Sequence, residues 1–151
     1  MPYSIMLDAG HGGRDPGAVY NGRQEKDDTL RLTLAVGEIL QNHDIDVEYT
    51  RTTDVYESPY EKAMEANNAG VDFFISIHRN SFPTDNVVSG VESLVYDLSG
   101  IKLEMAENIN EARGRRICES RRKGAPQPGG APPHKNARCS GRGWIYQFQH
   151  R

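Results

Sequence analysis

The chain has 151 residues and a net charge of −3, which suits a single domain with a substantial core. The small net charge hides two regions of opposite sign. Residues 1–112 carry 20 acidic and 8 basic side chains, whereas residues 113–151 carry 1 acidic and 10 basic ones. Both cysteines lie in the second region, and no apolar run approaches the roughly 20 residues of a membrane span. The composition thus excludes a membrane-spanning protein and a disulfide-stabilised scaffold.

Residues 1–112 alternate between patterns typical of strands and of helices. Strands are predicted at residues 3–7, 44–50, 71–77 and 90–96. Helices are predicted at about residues 26–42, 58–68 and 100–112. Ser58, Pro59 and Glu61 form a helix start, with an N-cap, a proline at the first position and a capping glutamate. The alternation predicts an α/β fold in which helices flank a layered mixed or parallel sheet.

This alternation ends near residue 113. Residues 113–123 are basic without periodicity, and residues 125–133 form a Pro/Gly tract that suits neither a helix nor a central strand. Residues 144–148 have strand-forming side chains but no adjacent strand with which to pair. We therefore predict an incomplete sheet, with a partial domain at residues 1–112 and an aberrant, disordered basic tail at residues 113–151.

Two histidines lie where predicted strands run into loops. His11 belongs to the segment DAGHGG at residues 8–13, and His78 belongs to SIHRN at residues 76–80. Glu25 follows His11 by 14 residues. Open α/β sheets bind their ligands at the carboxyl ends of the strands. Two imidazoles and one carboxylate are a ligand set of hydrolytic zinc sites, which leave a fourth position open for water.

Each of these features also has an ordinary structural interpretation. The Gly-rich loop at residues 10–17 fits a tight turn, and it lacks the Gly-Lys-Ser/Thr ending of a phosphate-binding loop. Glu25 fits a solvated acid at a helix start, where the helix dipole favours it, and the residues alone favour that interpretation. His43, His134 and His150 are assigned structural or incidental roles.

Residues 7–18, Glu25 and the segment SIHRNS at residues 76–81 together resemble the zinc-dependent N-acetylmuramoyl-L-alanine amidases. More closely, they resemble the amidase 3 catalytic domain of bacterial wall hydrolases and phage endolysins, over about residues 3–112. The resemblance implies that His11, Glu25 and His78 bind Zn²⁺ and that Asn80 helps to form the substrate groove. It also implies peptidoglycan as the substrate, hydrolysed at the amide between the lactyl group of N-acetylmuramic acid and L-alanine.

The family has a late motif, Glu-x-Gly-Phe, whose glutamate takes a proton from the metal-bound water and passes it to the leaving amine. This chain lacks the motif, and its only acid after Glu111 is Glu119, so no catalytic acid–base residue is identified. Permissible codons for residues 142–147, read one base later, encode Glu-Val-Gly-Phe-Ile. The same treatment converts the Pro/Gly tract into a strand-like sequence. We therefore predict that a one-base frame change near Arg113 replaced the last third of the domain and impaired its activity.

Other functions are compatible with the same residues. The chain could be a wall-binding module without turnover, or an inactive remnant. The basic region, with Trp144, Tyr146 and Phe148, superficially suits an acidic wall polymer or single-stranded nucleic acid. Because no folded platform is evident there, we expect peptidoglycan as the partner, and neither nucleic acid nor a membrane. The sequence does not define an oligomeric state.

The expected location follows from the start of the chain. No signal segment opens it, so we expect synthesis in the cytoplasm and action on the cell wall after release. A phage, prophage or spore-lysis setting fits that route.

Overall fold

A computed structural model describes residues 3–79, 92–95, 100–112 and 144–150. Its strands are β1 (Ser4–Ala9), β2 (Val19–Tyr20), β3 (Arg23–Gln24), β4 (Asp46–Tyr49), β5 (Phe73–Arg79), β6 (Glu92–Val95) and β7 (Trp144–His150). Its helices are α1 (Glu25–Gln41), α2 (Pro59–Ala69) and α3 (Gly100–Ala112). Across these ranges, no helix combines the length and the apolar character needed to cross a lipid bilayer.

Five of the strands form one sheet in the order β4-β1-β5-β7-β6. β1 pairs in parallel with both β4 and β5. β7 pairs antiparallel with β5 and parallel with β6, while β2 and β3 form a separate antiparallel hairpin. The prediction of an α/β fold with a mixed sheet flanked by helices is confirmed.

The two faces of the sheet bury different cores, because successive side chains of a strand point to opposite faces. On one face, Leu7 and Ile77 are fully buried in a cluster that partly buried residues of α1 and α3 complete. On the other face, Met6 packs with Ala66 of α2. Asp8 lies two residues after Met6 on β1, so its side chain points to the same face of the sheet, the face that α2 covers.

α2 begins and ends where the sequence predicts. The Ser58 hydroxyl accepts a hydrogen bond from the Glu61 N–H at 3.3 Å, and the Glu61 carboxylate accepts one from the Ser58 N–H at 2.7 Å. This reciprocal pair is the predicted capping box. Gly70 ends the helix in the left-handed conformation, with φ of 72°.

The prediction of a disordered tail is wrong for residues 144–150, which form β7. β7 lies between β5 and β6, where Trp144 pairs with Arg79 and Ile145 pairs with both His78 and Glu92. The partners of β7 precede it by a long stretch of chain, so no local pattern could reveal them. The predicted disorder of residues 113–143 lies outside the described residues.

Candidate metal centre

His11, Glu25 and His78 lie together at one end of the sheet. His11 Nε2 and His78 Nδ1 are 3.2 Å apart. Glu25 Oε1 lies 3.1 Å from the first of these atoms and 3.2 Å from the second. Within the described part of the chain, this trio is the one group of three or more His, Cys, Asp or Glu residues whose ligand atoms converge in this way. The structure therefore brings together all three of the sequence-predicted ligands.

The three ligand atoms form a nearly equilateral triangle. A tetrahedral zinc site with bonds of about 2.0–2.1 Å has neighbouring ligand atoms about 3.3 Å apart. The observed edges of 3.1–3.2 Å match one face of such a tetrahedron. Two imidazole nitrogens and a carboxylate oxygen are also the ligand types that zinc prefers. The residues present therefore fit Zn²⁺ with one open coordination position.

His11 is presented by a tightly closed loop after β1. Its φ of 63° lies in the left-handed region, which residues other than glycine seldom adopt. Gly12 and Asp15 exchange two backbone hydrogen bonds of 3.0 Å. The Asp15 carboxylate also accepts a hydrogen bond from His11 Nδ1 at 2.8 Å. When Nδ1 alone carries the ring proton, Nε2 has a lone pair with which it can bind a metal ion.

Two glycines allow the ligands to approach one another. A Cβ on Gly10 would lie 2.5 Å from His78 Cε1. A Cβ on Gly17, whose φ is 63°, would lie 2.5 Å from His11 Cδ2 and 2.8 Å from Glu25 Oε2. The Gly-rich loop is therefore more than a tight turn, because its missing side chains make room for all three ligands.

Glu25 is the first residue of α1, and it is only 3% exposed. Its Oε1 accepts a hydrogen bond from the Arg79 N–H at 2.8 Å, and its Oε2 accepts one from the Ala18 N–H at 2.9 Å. Burial by itself would raise the pKa of Glu25. The hydrogen bonds from His11 and His78 and from the two backbone N–H groups outweigh burial and hold the pKa well below its usual range. The interpretation of Glu25 as a solvated helix-start acid is therefore wrong.

The charges around His11 also favour its cationic form while no metal is bound. The hydrogen bond with Glu25 raises the pKa of the His11 imidazole, burial opposes that rise, and Asp15 adds to it. The hydrogen bond from His11 in turn lowers the pKa of Asp15, with help from the Gly17 N–H. Protons and a metal ion therefore compete for His11 Nε2.

The other histidines and polar residues that the sequence singles out are not all found where they are predicted. His78 is the penultimate residue of β5, so the expectation that it follows the strand end is wrong by two residues. Asn80 and His134 lie outside the described residues. His43 is exposed beyond the end of α1 and takes no part in the cluster. No role was predicted for Asp15, which lies four residues after His11, within the segment at residues 7–18 that resembles the family.

A cavity of about 220 Å³ adjoins the imidazoles of His11 and His78. Its wall includes Glu57, which lies just before α2, and Lys62, which lies near the start of α2. The Lys62 ammonium donates a hydrogen bond to the Asp8 carboxylate at 2.7 Å, and both side chains are buried. The two opposite charges therefore compensate each other beneath the cavity.

Residues 5–130 match the amidase 3 family of N-acetylmuramoyl-L-alanine amidases. The chain belongs to that family. The predicted resemblance is thereby confirmed, and the match extends beyond residue 112, where the sequence analysis ended it.

Three relatives illustrate the likeness. The chain is 46% identical over 94 residues to the sporulation-specific N-acetylmuramoyl-L-alanine amidase of Bacillus subtilis (strain 168), covering 61% of this chain and 35% of that protein. It is 42% identical over 84 residues to the endolysin of Bacillus phage SPP1, covering 55% and 31%. The solved structure of N-acetylmuramoyl-L-alanine amidase AmiC2 of Nostoc punctiforme has a TM-score of 0.67 at 26% identity, covering 95% of this chain and 77% of that one. The chain spans about a third of the length of the two curated relatives.

Proposed function

We propose that this chain binds Zn²⁺ through His11, Glu25 and His78, in a domain built to hydrolyse the amide between N-acetylmuramic acid and L-alanine in peptidoglycan. The observation that carries the proposal is the triangle of ligand atoms with edges of 3.1–3.2 Å. Membership of the amidase family supports the substrate class. The two functions, metal binding and amide hydrolysis, are tested separately below.

The residues of the site have distinct tasks in this reaction. A zinc ion bound there would polarise the amide carbonyl and lower the pKa of its water to about 7. Asp15 holds the His11 ring in the orientation that presents Nε2. The Ala18 and Arg79 N–H groups donate to the Glu25 carboxylate and favour its ionised form. The adjoining cavity receives the substrate, and Asn80 is proposed to help form its groove.

We further propose that turnover is impaired, because the late glutamate of the family is missing. Residues 113–151 contain a single acid, Glu119, in a basic stretch unlike the family motif. Permissible codons for residues 142–147 can encode Glu-Val-Gly-Phe-Ile when read one base later. These residues overlap β7, which begins opposite Arg79 beside His78. A strand next to the metal centre is a suitable place for that glutamate. Its loss lowers kcat by about 10²–10⁴-fold.

The test compares this chain with a version re-encoded one base later from residue 113 onward. Both proteins are expected to bind one zinc ion, and the re-encoded protein is expected to release peptides from purified sacculi about 10²–10⁴-fold faster. His78→Ala in each protein is the control, since it removes a metal ligand. Equal rates of peptide release by the two proteins would contradict impaired turnover. A wild-type chain that binds no zinc would contradict the proposed metal centre. Stop codons in the shifted frame of the gene would contradict the frame change.

A wall-binding module without turnover is the second candidate. It is favoured by one combination: the ligand triangle and the cavity are present, while the late glutamate is not. Sacculus pull-down distinguishes the two, because binding without peptide release supports the module. A chain that neither binds sacculi nor accumulates in soluble form would be an inactive remnant.

The relatives support a proposal for where the chain acts. They include a sporulation-specific amidase and a phage endolysin. We propose synthesis in the cytoplasm followed by action on the cell wall after release, as in phage, prophage or spore lysis.

A further inference from the structure

Arg79 contacts the metal centre through its backbone and the loop before the β2–β3 hairpin through its side chain. Its N–H donates to Glu25 Oε1 at 2.8 Å, and its guanidinium Nη2 donates to the Ala18 carbonyl at 2.6 Å. The Ala18 N–H in turn donates to Glu25 Oε2 at 2.9 Å. These three bonds form a closed ring. Arg79 and Ala18 each hold one oxygen of the Glu25 carboxylate, and they are also hydrogen-bonded to each other.

The guanidinium of Arg79 is anchored by Asp28, which lies three residues after Glu25 on α1 and has a side chain only 1% exposed. Arg79 Nη1 contacts Asp28 Oδ2 at 2.5 Å. Arg23 and Arg31 bind the same carboxylate at 2.8 and 2.7 Å, but their side chains are 63% and 72% exposed against 17% for Arg79. Arg79 is therefore the inner arginine of the three, and its own N–H reaches the metal ligand.

We propose that Arg79 is a positioning residue of the metal centre: held by Asp28, it fixes the rotation of the Glu25 carboxylate so that Oε1 faces His11 and His78. The inference deepens the proposed function and rests on zinc binding by those three ligands.

The chemistry of the side chain explains why an arginine stands at this position. A guanidinium presents several N–H groups in a rigid, planar fork, so one side chain can hold Asp28 and the Ala18 carbonyl at once. The ammonium of lysine is a compact point charge and lacks that fork. Partners that orient a metal ligand change metal affinity by about 10- to 100-fold when they are mutated.

The decisive variant is Arg79→Lys, which keeps the charge but removes the fork. Zinc affinity is measured by competition with a chromophoric chelator, and Co²⁺ absorption reports the coordination geometry. Arg79→Lys is expected to weaken zinc binding by about 10- to 100-fold and to alter the Co²⁺ spectrum. Arg31→Lys is the matched control, because Arg31 binds the same Asp28 from the surface, and it is expected to bind zinc like the wild type.

A second variant separates positioning from folding. Asp28→Asn keeps the shape of the anchor and removes its charge, so it is expected to weaken zinc binding in the same direction, and it decides the question if Arg79→Lys does not fold. Thermal melts of the metal-free proteins show whether a loss of affinity occurs in a folded chain. Wild-type zinc affinity in folded Arg79→Lys or Asp28→Asn protein would overturn the inference and leave the proposed function intact. Absence of zinc binding by the wild type would instead overturn the proposed function.

Discussion

The absence of a side chain at Gly10 leaves room for the His78 ring. A Cβ at this position would lie 2.5 to 2.8 Å from three atoms of the His78 ring, closer than real Cβ contacts come. The φ of Gly10 is not in the left-handed region, so the backbone itself would accept an alanine. The restriction therefore comes from the His78 imidazole alone, and His78 is one of the three proposed metal ligands.

Gly10→Ala is expected to displace the His78 ring and to weaken zinc binding by at least about 10-fold, as other disturbances of ligand orientation do. Isothermal titration with zinc checks this. Gly22→Asn is the control, because Gly22 has φ of 76° with no atom near its missing Cβ, and asparagine tolerates that backbone. A Gly10→Ala protein that binds zinc like the wild type would show that the ring has room to move.

The site could be predicted only in part from single residues. The three proposed ligands belong to motifs whose order and separation are distinctive, and the structure brings them together. The contributions of Ala18 and Arg79 to Glu25 were missed because they are made by backbone N–H groups, which every residue but proline possesses. No side-chain pattern could mark them.

At the scale of the secondary-structure elements, α1 carries two fully buried threonines one turn apart. The Thr29 hydroxyl donates to the Gly10 carbonyl at 2.7 Å and so helps to tie α1 to the loop of the metal centre. The Thr33 hydroxyl has no hydrogen-bond partner among the described residues. The two positions share a helix face but differ in whether their polar atom is satisfied.

The two threonines should respond oppositely to the same substitution. Thr33→Val replaces an unsatisfied hydroxyl by a methyl group of similar shape, and it is expected to raise the free energy of unfolding by about 1 kcal/mol. Thr29→Val leaves the Gly10 carbonyl without that bond and is expected to lower it by about 1–2 kcal/mol. Urea denaturation of the metal-free proteins measures both. Changes of the same sign in the two variants would refute this account of α1.

Elements with a strong local signal could be predicted, and those without one could not. The capping box marks the start of α2, and α3 has the predicted limits, Gly100–Ala112. The β2–β3 hairpin was missed because strands of two residues are too short to show an alternating pattern. The position of this hairpin bears on the site, because the Arg79 guanidinium donates a hydrogen bond to the Ala18 carbonyl just before the hairpin, beside Glu25.

At the scale of the whole molecule, the sheet depends on β7, which pairs with β5 on one side and β6 on the other. β5 and β6 have no direct pairing with each other in the sheet order β4-β1-β5-β7-β6. Without β7, both would present unpaired edges, which promote aggregation. One of those edges would belong to the strand that carries His78.

Interrupting the ladder of β7 should therefore destabilise the whole sheet. Gln147 pairs with Ser76 of β5 and Leu94 of β6, and proline there removes a backbone donor from a central strand. Gln147→Pro is expected to lower the free energy of unfolding by more than about 2 kcal/mol and to produce aggregates in analytical ultracentrifugation. Gln147→Thr, which retains the donor and suits a strand, is the control. A monomeric Gln147→Pro protein of unchanged stability would show that β7 does not hold the sheet together.

The insertion of β7 between two earlier strands also governs how a nascent chain can mature. The ribosome delivers β5 and β6 first, at about 5–20 residues per second, and the central strand arrives only several seconds later. During that interval the growing polypeptide cannot complete its hydrogen-bonded ladder. Final assembly therefore waits for β7, and until then the edge of β5, the strand that carries His78, stays unpaired.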